Sequence, residues 1–299
     1  MRKTVAALWV FILFGFAGVA FAGETGHYVS GVEGIKCSTL PPPGVYFKLY
    51  NALYISDELR DKNGDKVPLS FDLTVFAPVS RFVWVTGQKI LGGDFFMDAT
   101  IPLSYTDISI RETGVSDTRF GLGDINIEPL GLAWHGRRYD ASAALSVWMP
   151  TGAYDESEPA SPGKDFWTLM VTAGGTCYLD ADRTWAASVL MRYEMHSEKR
   201  DADVTPGDNF LFEWGVSKTL AKIWDVGLTG YCSWQVEDDS GADATWDRDV
   251  HDRAFAVGPE VSVFLPSITT GVSMRLQWEL ETQDRPRGVM AVLTFTKVL

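Results

Sequence analysis

The residues best suited to catalysis or metal binding are four histidines and three cysteines, and their spacing favours neither. His27, His135 and His251 fall in irregular or turn-like stretches, and His196 is the one histidine in a run with strand periodicity. No serine or aspartate can be placed beside His196 from sequence, and neither HxxxH nor CxxC spacing occurs. An enzyme is not expected, and the residues call for no cofactor and no metal. Cys177 and Cys232 fall on apolar parities and, with Cys37 making an odd set, read as small apolar residues rather than a disulfide. What remains is the chemistry of a lining. Tyr46, Lys48, Tyr50 and Tyr54 recur at even spacing, as do Arg192 and Glu194, Tyr231 and Gln235, and Arg275 and Glu279, with Asp124 on a separate stretch. Such residues around an enclosed space offer phenol rings, hydroxyls and charges to a passing solute.

Strands must position them, and residues 223–237, IWDVGLTGYCSWQVE, show how. Trp224, Val226, Leu228, Gly230, Cys232, Trp234 and Val236 make one apolar face; Asp225, Thr229, Tyr231, Ser233, Gln235 and Glu237 make a polar one. Alternation with a period of two is a strand with two chemically distinct sides. Soluble strands are mostly about five or six residues, whereas crossing a bilayer at a tilt takes roughly 9–11. Tryptophans near both ends of the apolar face match interfacial girdles.

The N-terminus agrees with export. Met1-Arg2-Lys3, an apolar run to Phe21 and the triplet Ala20-Phe21-Ala22 read as a signal peptide over residues 1–22. Beyond it no apolar run reaches about 18 residues, the length a membrane helix needs. Yet 46% of the chain is hydrophobic and 13% aromatic, so insertion must be as a closed barrel. A net charge of −13 makes nucleic acid a poor partner. Residues 23–43, rich in glycine and ending in Pro41-Pro42-Pro43, form a leader that either lies loose in the periplasm or folds into the lumen. Residues 44–299 form the barrel.

Twelve strands can be traced in residues 44–299, with Pro78 expected to mark a bulge and a short turn expected at residues 86–89. Links after strands one, five, seven and nine are long and polar, as at 151–164, 198–207 and 238–252, while links after the even strands are short. Outer-membrane barrels alternate in this way, with short periplasmic turns. The expected architecture is therefore an all-β, transmembrane antiparallel barrel of about twelve strands. Its partners would be outer-membrane lipids, lipopolysaccharide and the barrel assembly machinery.

The parities assign Asp72, Asp98, Asp124, Glu128, Glu194, Glu213, Glu237, Glu260, Glu279 and Glu281 to the lumen, together with Lys48, Arg192 and Arg275. That excess of acid favours cations in an open pore, or fills the barrel by pairing. Lys218 and Lys297 interrupt the outer face near strand ends, where charge can snorkel.

Several short motifs in fixed order resemble a known family. They are GLGD at 121–124, PTGAYD at 150–155, PGKDFWT at 162–168, PGD at 206–208, GYCSWQVEDDSG at 230–241, VGPE at 257–260 and RPRG at 285–288. The chain resembles the outer-membrane family named for the meta-pathway of phenol degradation, from about residue 41 to its end. The resemblance implies a porin-like transporter, with uptake of small hydrophobic or aromatic solutes as its expected role. It brings no catalytic residues. Such barrels usually end in an aromatic residue, whereas this chain ends Lys297-Val298-Leu299. An outer-membrane enzyme or a non-conducting structural barrel is the alternative.

Overall fold

The computed structural model describes residues 25–299, and the expected signal peptide lies outside them. The strands are β1 (Gly44–Leu59), β2 (Phe71–Ile90), β3 (Gly93–Ile110), β4 (Val115–Leu122), β5 (Ile125–His135), β6 (Tyr139–Met149) and β7 (Thr168–Tyr178). They continue as β8 (Trp185–His196), β9 (Asn209–Leu220), β10 (Trp224–Gln235), β11 (Arg253–Leu265), β12 (Thr270–Gln283) and β13 (Pro286–Val298). Both β4 and β5 pair with β3, interrupted at Gly123-Asp124, so these thirteen segments make twelve barrel strands. Sequence neighbours pair antiparallel, and β1 pairs with both β2 and β13, which closes the sheet.

Closure follows from the two faces of each strand. On β10, Leu228 is 54% exposed on the outside, while Thr229, Tyr231, Ser233 and Gln235 are buried inside. The same inversion recurs around the barrel: Val189, Met191, Val216, Val261, Met274 and Leu293 are exposed, and Arg192, Glu194, Glu213, Glu260 and Arg275 are buried. Exposed large apolar residues and buried charges are each unusual in a soluble protein. Together, on alternating positions, they are the pattern of a barrel whose solvent is lipid.

One end of the barrel carries the short connections 91–92, 136–138, 179–184, 221–223 and 266–269, and also both ends of the strand set. The other carries 60–70, 111–114, 150–167, 197–208, 236–252 and 284–285. Outward aromatics gather toward the short end: Trp84, Tyr139, Trp185, Trp224 and Phe264. Lys218 sits among them, its Nζ bonded to Thr184 Oγ1 at 2.7 Å and lying over the Trp185 ring. Cys177 and Cys232 lie on outward positions, and all three cysteines are free.

Four expectations fail, each for a local reason. The β2 parity is reversed: Asp72 is exposed, and Phe71 is buried against Leu59 and Ile110. That end of the β2–β3 hairpin lies beneath the 60–70 connection, so Phe71 gains more from the inside cluster than from facing outward. Pro78 causes no bulge, because the β1–β2 register runs unbroken from Gly44↔Val85 to Ser56↔Leu73. The turn is at Leu91-Gly92 rather than 86–89; φ values of 50° and 79° there are those of a two-residue hairpin turn. Glu237 and Glu281 are also outside the lumen. Glu237 lies exposed beyond the end of β10, and Glu281 follows the register shift at Phe255/Ala256 and pairs with Arg253 at 2.7 Å.

Leu228 faces outward well inside β10, so Leu228→Arg should destabilise the barrel by about 2–4 kcal/mol, while Leu220→Arg near the short-turn end should cost about 0–1 kcal/mol. Reversible folding into lipid vesicles, followed by tryptophan fluorescence, measures both. Equal costs would mean this face does not meet lipid.

Candidate functional site: the lumen and the segment inside it

Residues 25–43 contain no strand and run inside the barrel. A backbone without a sheet partner must bond its N–H groups elsewhere, and here barrel glutamates accept them. The Tyr28 N–H donates to Glu194 Oε1 at 2.9 Å. The N–H groups of Gly31 and Glu33 both donate to Glu213 Oε1, at 2.8 and 2.9 Å. The Ile35 N–H donates to Glu260 Oε2 at 3.0 Å. Gly31 has φ of 91°, and a Cβ there would sit 2.3 Å from the Met290 methyl, so only glycine allows so close an approach to the wall.

Side chains complete the attachment. Tyr28 donates its hydroxyl to Glu213 at 2.8 Å and lies under the Arg192 guanidinium, 3.8 Å from the ring centre. Arg192 pairs with Glu213 at 2.6 Å. Lys36 pairs with Asp225 at 2.7 Å, Ser38 donates to the Val189 carbonyl, and Thr39 donates to Thr176. Glu33 is held by Lys48 Nζ at 3.2 Å, Tyr50 OH at 2.8 Å and Arg81 Nη1 at 2.9 Å.

The remaining lining candidates belong to the same network. Tyr46 donates to the Pro42 carbonyl at 2.7 Å. Tyr54 and Tyr231 both donate to Glu279, at 2.7 and 2.8 Å. Arg275 pairs with Glu260 at 3.2 Å and donates to the Val32 carbonyl. Gln235 is buried and bonds Asp239 at 2.9 Å, beneath the 236–252 connection rather than in the open lumen. Asp124 takes His27 Nε2 at 3.0 Å. Arg81, which lies beyond Pro78 where β2 shows no clear alternation in sequence, faces inward and bridges Asp98 and Glu128.

His196 has two partners invisible in sequence: Asn209, whose amide lies 3.0 Å from its Nε2, and Thr168. The Thr168 Oγ1 lies 2.7 Å from His27 Nδ1 and 2.7 Å from His196 Nδ1. An Asp124–His27–Thr168 order resembles an activated hydroxyl, but Thr168 is 0% exposed and shared between two imidazoles under Phe166. The arrangement fastens the start of the leader and gives a substrate no approach to that oxygen.

The lumen is layered. Toward the long-connection end, Tyr50, Ala52, Tyr231, Met290 and Val292 form an apolar patch with Val32, Ala77 and Val79 against it. Lys48, Arg81, Asp98, Glu128 and Glu33 form an ionic girdle. Below it, Tyr46, Val83, Val85, Phe96 and Ala133 pack with Leu40 of the leader. A cavity of about 1050 Å³ remains beside the leader, lined on one side by Val29, Val32, Tyr54, Val75, Ala77 and Val79. Val29 is 56% exposed to that space.

Burial alone would raise the Glu33 carboxyl, but Lys48, Arg81 and Arg192 outweigh it and hold the group at about 2, below its ordinary 4.5. Burial pushes the Cys37 thiol up to about 12. A carboxyl depressed in this way stabilises the docked leader fully above its ordinary value, and the contribution is lost as pH falls from there through about 2. Native-state hydrogen exchange of the Gly31 and Glu33 amides, corrected for intrinsic rates, should show protection lost below about pH 4. Protection falling between pH 7 and 5 would assign the control to another group.

The structure matches that of an outer membrane channel from Pseudomonas putida F1 with a TM-score of 0.78 at 17% identity, over 88% of this chain and 97% of that one. It also matches the β domain of the Bordetella autotransporter BrkA, at a TM-score of 0.51 and 10% identity over 86% and 99% of the two chains. The translocator domain of the autotransporter NalP from Neisseria meningitidis gives 0.51 and 10%, over 87% and 90%. No curated protein sequence matches significantly. The fold is that of a bacterial outer-membrane β-barrel. The family model for the MetA-pathway of phenol degradation matches residues 56–295, and the chain belongs to that family.

Proposed function

We propose that the protein is an outer-membrane channel for small hydrophobic or aromatic compounds, closed at rest by its own residues 25–43. The observation that carries this reading is the lumen beside the leader. A cavity of about 1050 Å³, with an apolar stretch of valine, alanine and tyrosine along one wall and many charged side chains around the rest, has the size of a small-molecule site and offers it both apolar surface and fixed charge. The likeness in fold to an outer membrane channel supports it. The leader is attached by side-chain hydrogen bonds and ion pairs rather than by strand pairing, so it can leave without breaking the barrel wall. The long connections face outward and the short turns face the periplasm, from which the leader enters at Gly44.

The density of that attachment also favours a second reading, a barrel that never conducts. Deleting residues 23–40 separates the two. In planar bilayers the shortened protein should conduct well above the full-length chain if the leader is a plug. Equal, negligible conductance in both would leave the structural barrel standing.

Charge gives a further expectation. In the full chain Glu194, Glu213 and Glu260 each bond leader N–H groups, so Glu194→Gln should change ion selectivity little. Without the leader these carboxylates face open lumen, and the shortened channel should prefer cations, less so as salt rises. Glu213→Gln in the shortened channel should reduce that preference in reversal-potential measurements. Anion selectivity there would mean that other groups set the field.

A further inference from the structure

Glu33 rests in a nest that the barrel wall supplies. Lys48 Nζ at 3.2 Å, Tyr50 OH at 2.8 Å and Arg81 Nη1 at 2.9 Å converge on one carboxylate that belongs to a different segment. Charged donors and a phenol aimed at a carboxylate are a recognition geometry for that group. The nest is built into the wall: Lys48 and Arg81 face each other across the β1–β2 ladder, and Arg81 is also held by Asp98 and Glu128 on β3 and β5. It therefore persists when Glu33 leaves. On the same face of the same strands, Tyr50 stands opposite Val79 and Ala52 opposite Ala77, with Val75 one step further. A charged headgroup site thus continues directly into the apolar wall of the cavity.

We propose that Lys48, Tyr50 and Arg81 form a binding site for small hydrophobic carboxylates, aromatic acids foremost, and that Glu33 is a built-in competitor which such a ligand displaces to release the leader. The inference rests on the channel reading above and adds the substrate class and the trigger. A tethered carboxylate holds its site at high effective concentration, so a bare carboxylate such as acetate competes poorly. An aryl ring buried against Val75, Ala77 and Val79 supplies the additional affinity. A neutral alcohol with the same ring gains the apolar contact but leaves Lys48 and Arg81 paired with Glu33. The exchange replaces one carboxylate by another, so the charge balance with Lys48, Arg81, Asp98 and Glu128 is unchanged.

Cys37, four residues beyond Glu33, reports the displacement: in the docked leader its Sγ lies against the Glu213 carbonyl at 3.8 Å, and burial pushes the thiol up to about 12, which slows its alkylation. The full-length chain with the outward Cys177 and Cys232 replaced by alanine is placed in lipid vesicles and treated with a neutral, water-soluble maleimide. Benzoate at about ten times its dissociation constant should speed Cys37 labelling about tenfold, while acetate and benzyl alcohol at the same concentration should leave it unchanged. Glu33→Gln should label rapidly without ligand and ignore benzoate, and Lys48→Met should lose the benzoate response. Equal responses to benzoate and benzyl alcohol, or slow labelling of Glu33→Gln, overturn the proposal. Ion currents of Glu33→Gln in planar bilayers tell the two readings apart. Current through that variant with Cys37 of the unsubstituted leader indifferent to benzoate removes this inference alone; absence of current removes the channel reading as well.

Discussion

A closed barrel uses all its wall's main-chain hydrogen bonds on itself, so anything placed inside must be held by side chains. That constraint organises the lumen of this protein. The leader has no strand to join, and Glu194, Glu213 and Glu260 stand in for one by accepting its N–H groups. Their position follows from strand alternation, because each is the inward neighbour of an outward apolar residue. The acid-rich interior is thus a set of acceptors matched to one segment, with Lys48, Arg81, Arg192 and Arg275 balancing part of the charge.

The layering of the lumen has a similar origin. Charges cluster where Glu33 meets Lys48 and Arg81, and apolar patches lie above and below them. A buried ionic girdle is worth little as stability, since desolvation offsets most of the attraction. It does fix where the leader sits along the barrel axis, because a shift would leave buried charges unpaired. The apolar patches, which contact the leader through Val32 and Leu40, tolerate displacement far better.

The wall was legible in the sequence on most strands that lipid faces, β2 excepted, where Val75, Ala77 and Val79 turn inward. The period of two on β8, β9 and β10, the strand count and the alternation of connection lengths all follow from a requirement that every outward residue be apolar. Legibility ends where lipid does. Phe71 and Asp72 lie toward the end of a twenty-residue strand, where no bilayer enforces outward apolarity and local packing decides parity. The tyrosines and charges of the lining were placed on the inner face by the same alternation. Their partners were not readable, because Glu33 to Arg81, His27 to Asp124 and Tyr231 to Glu279 are contacts between segments with no shared periodicity. The leader itself, irregular and glycine-rich, has a composition equally suited to a loose tail; only the acid surplus opposite it hinted at an occupant.

Separation along the chain distinguishes the leader's contacts from one another. Glu33 meets Lys48, Tyr50 and Arg81 at distances of 15, 17 and 48 residues, whereas its own N–H reaches Glu213 across 180 and that of Ile35 reaches Glu260 across 225. The entropy of closing a loop grows with its length, so the near contacts are open to the chain as soon as β1 and β2 have paired. A leader seated on that first hairpin lies on the concave side of the growing sheet before β13 comes round to meet β1. A barrel that closed in this order would enclose an occupant already in place, with no later threading through a narrow mouth.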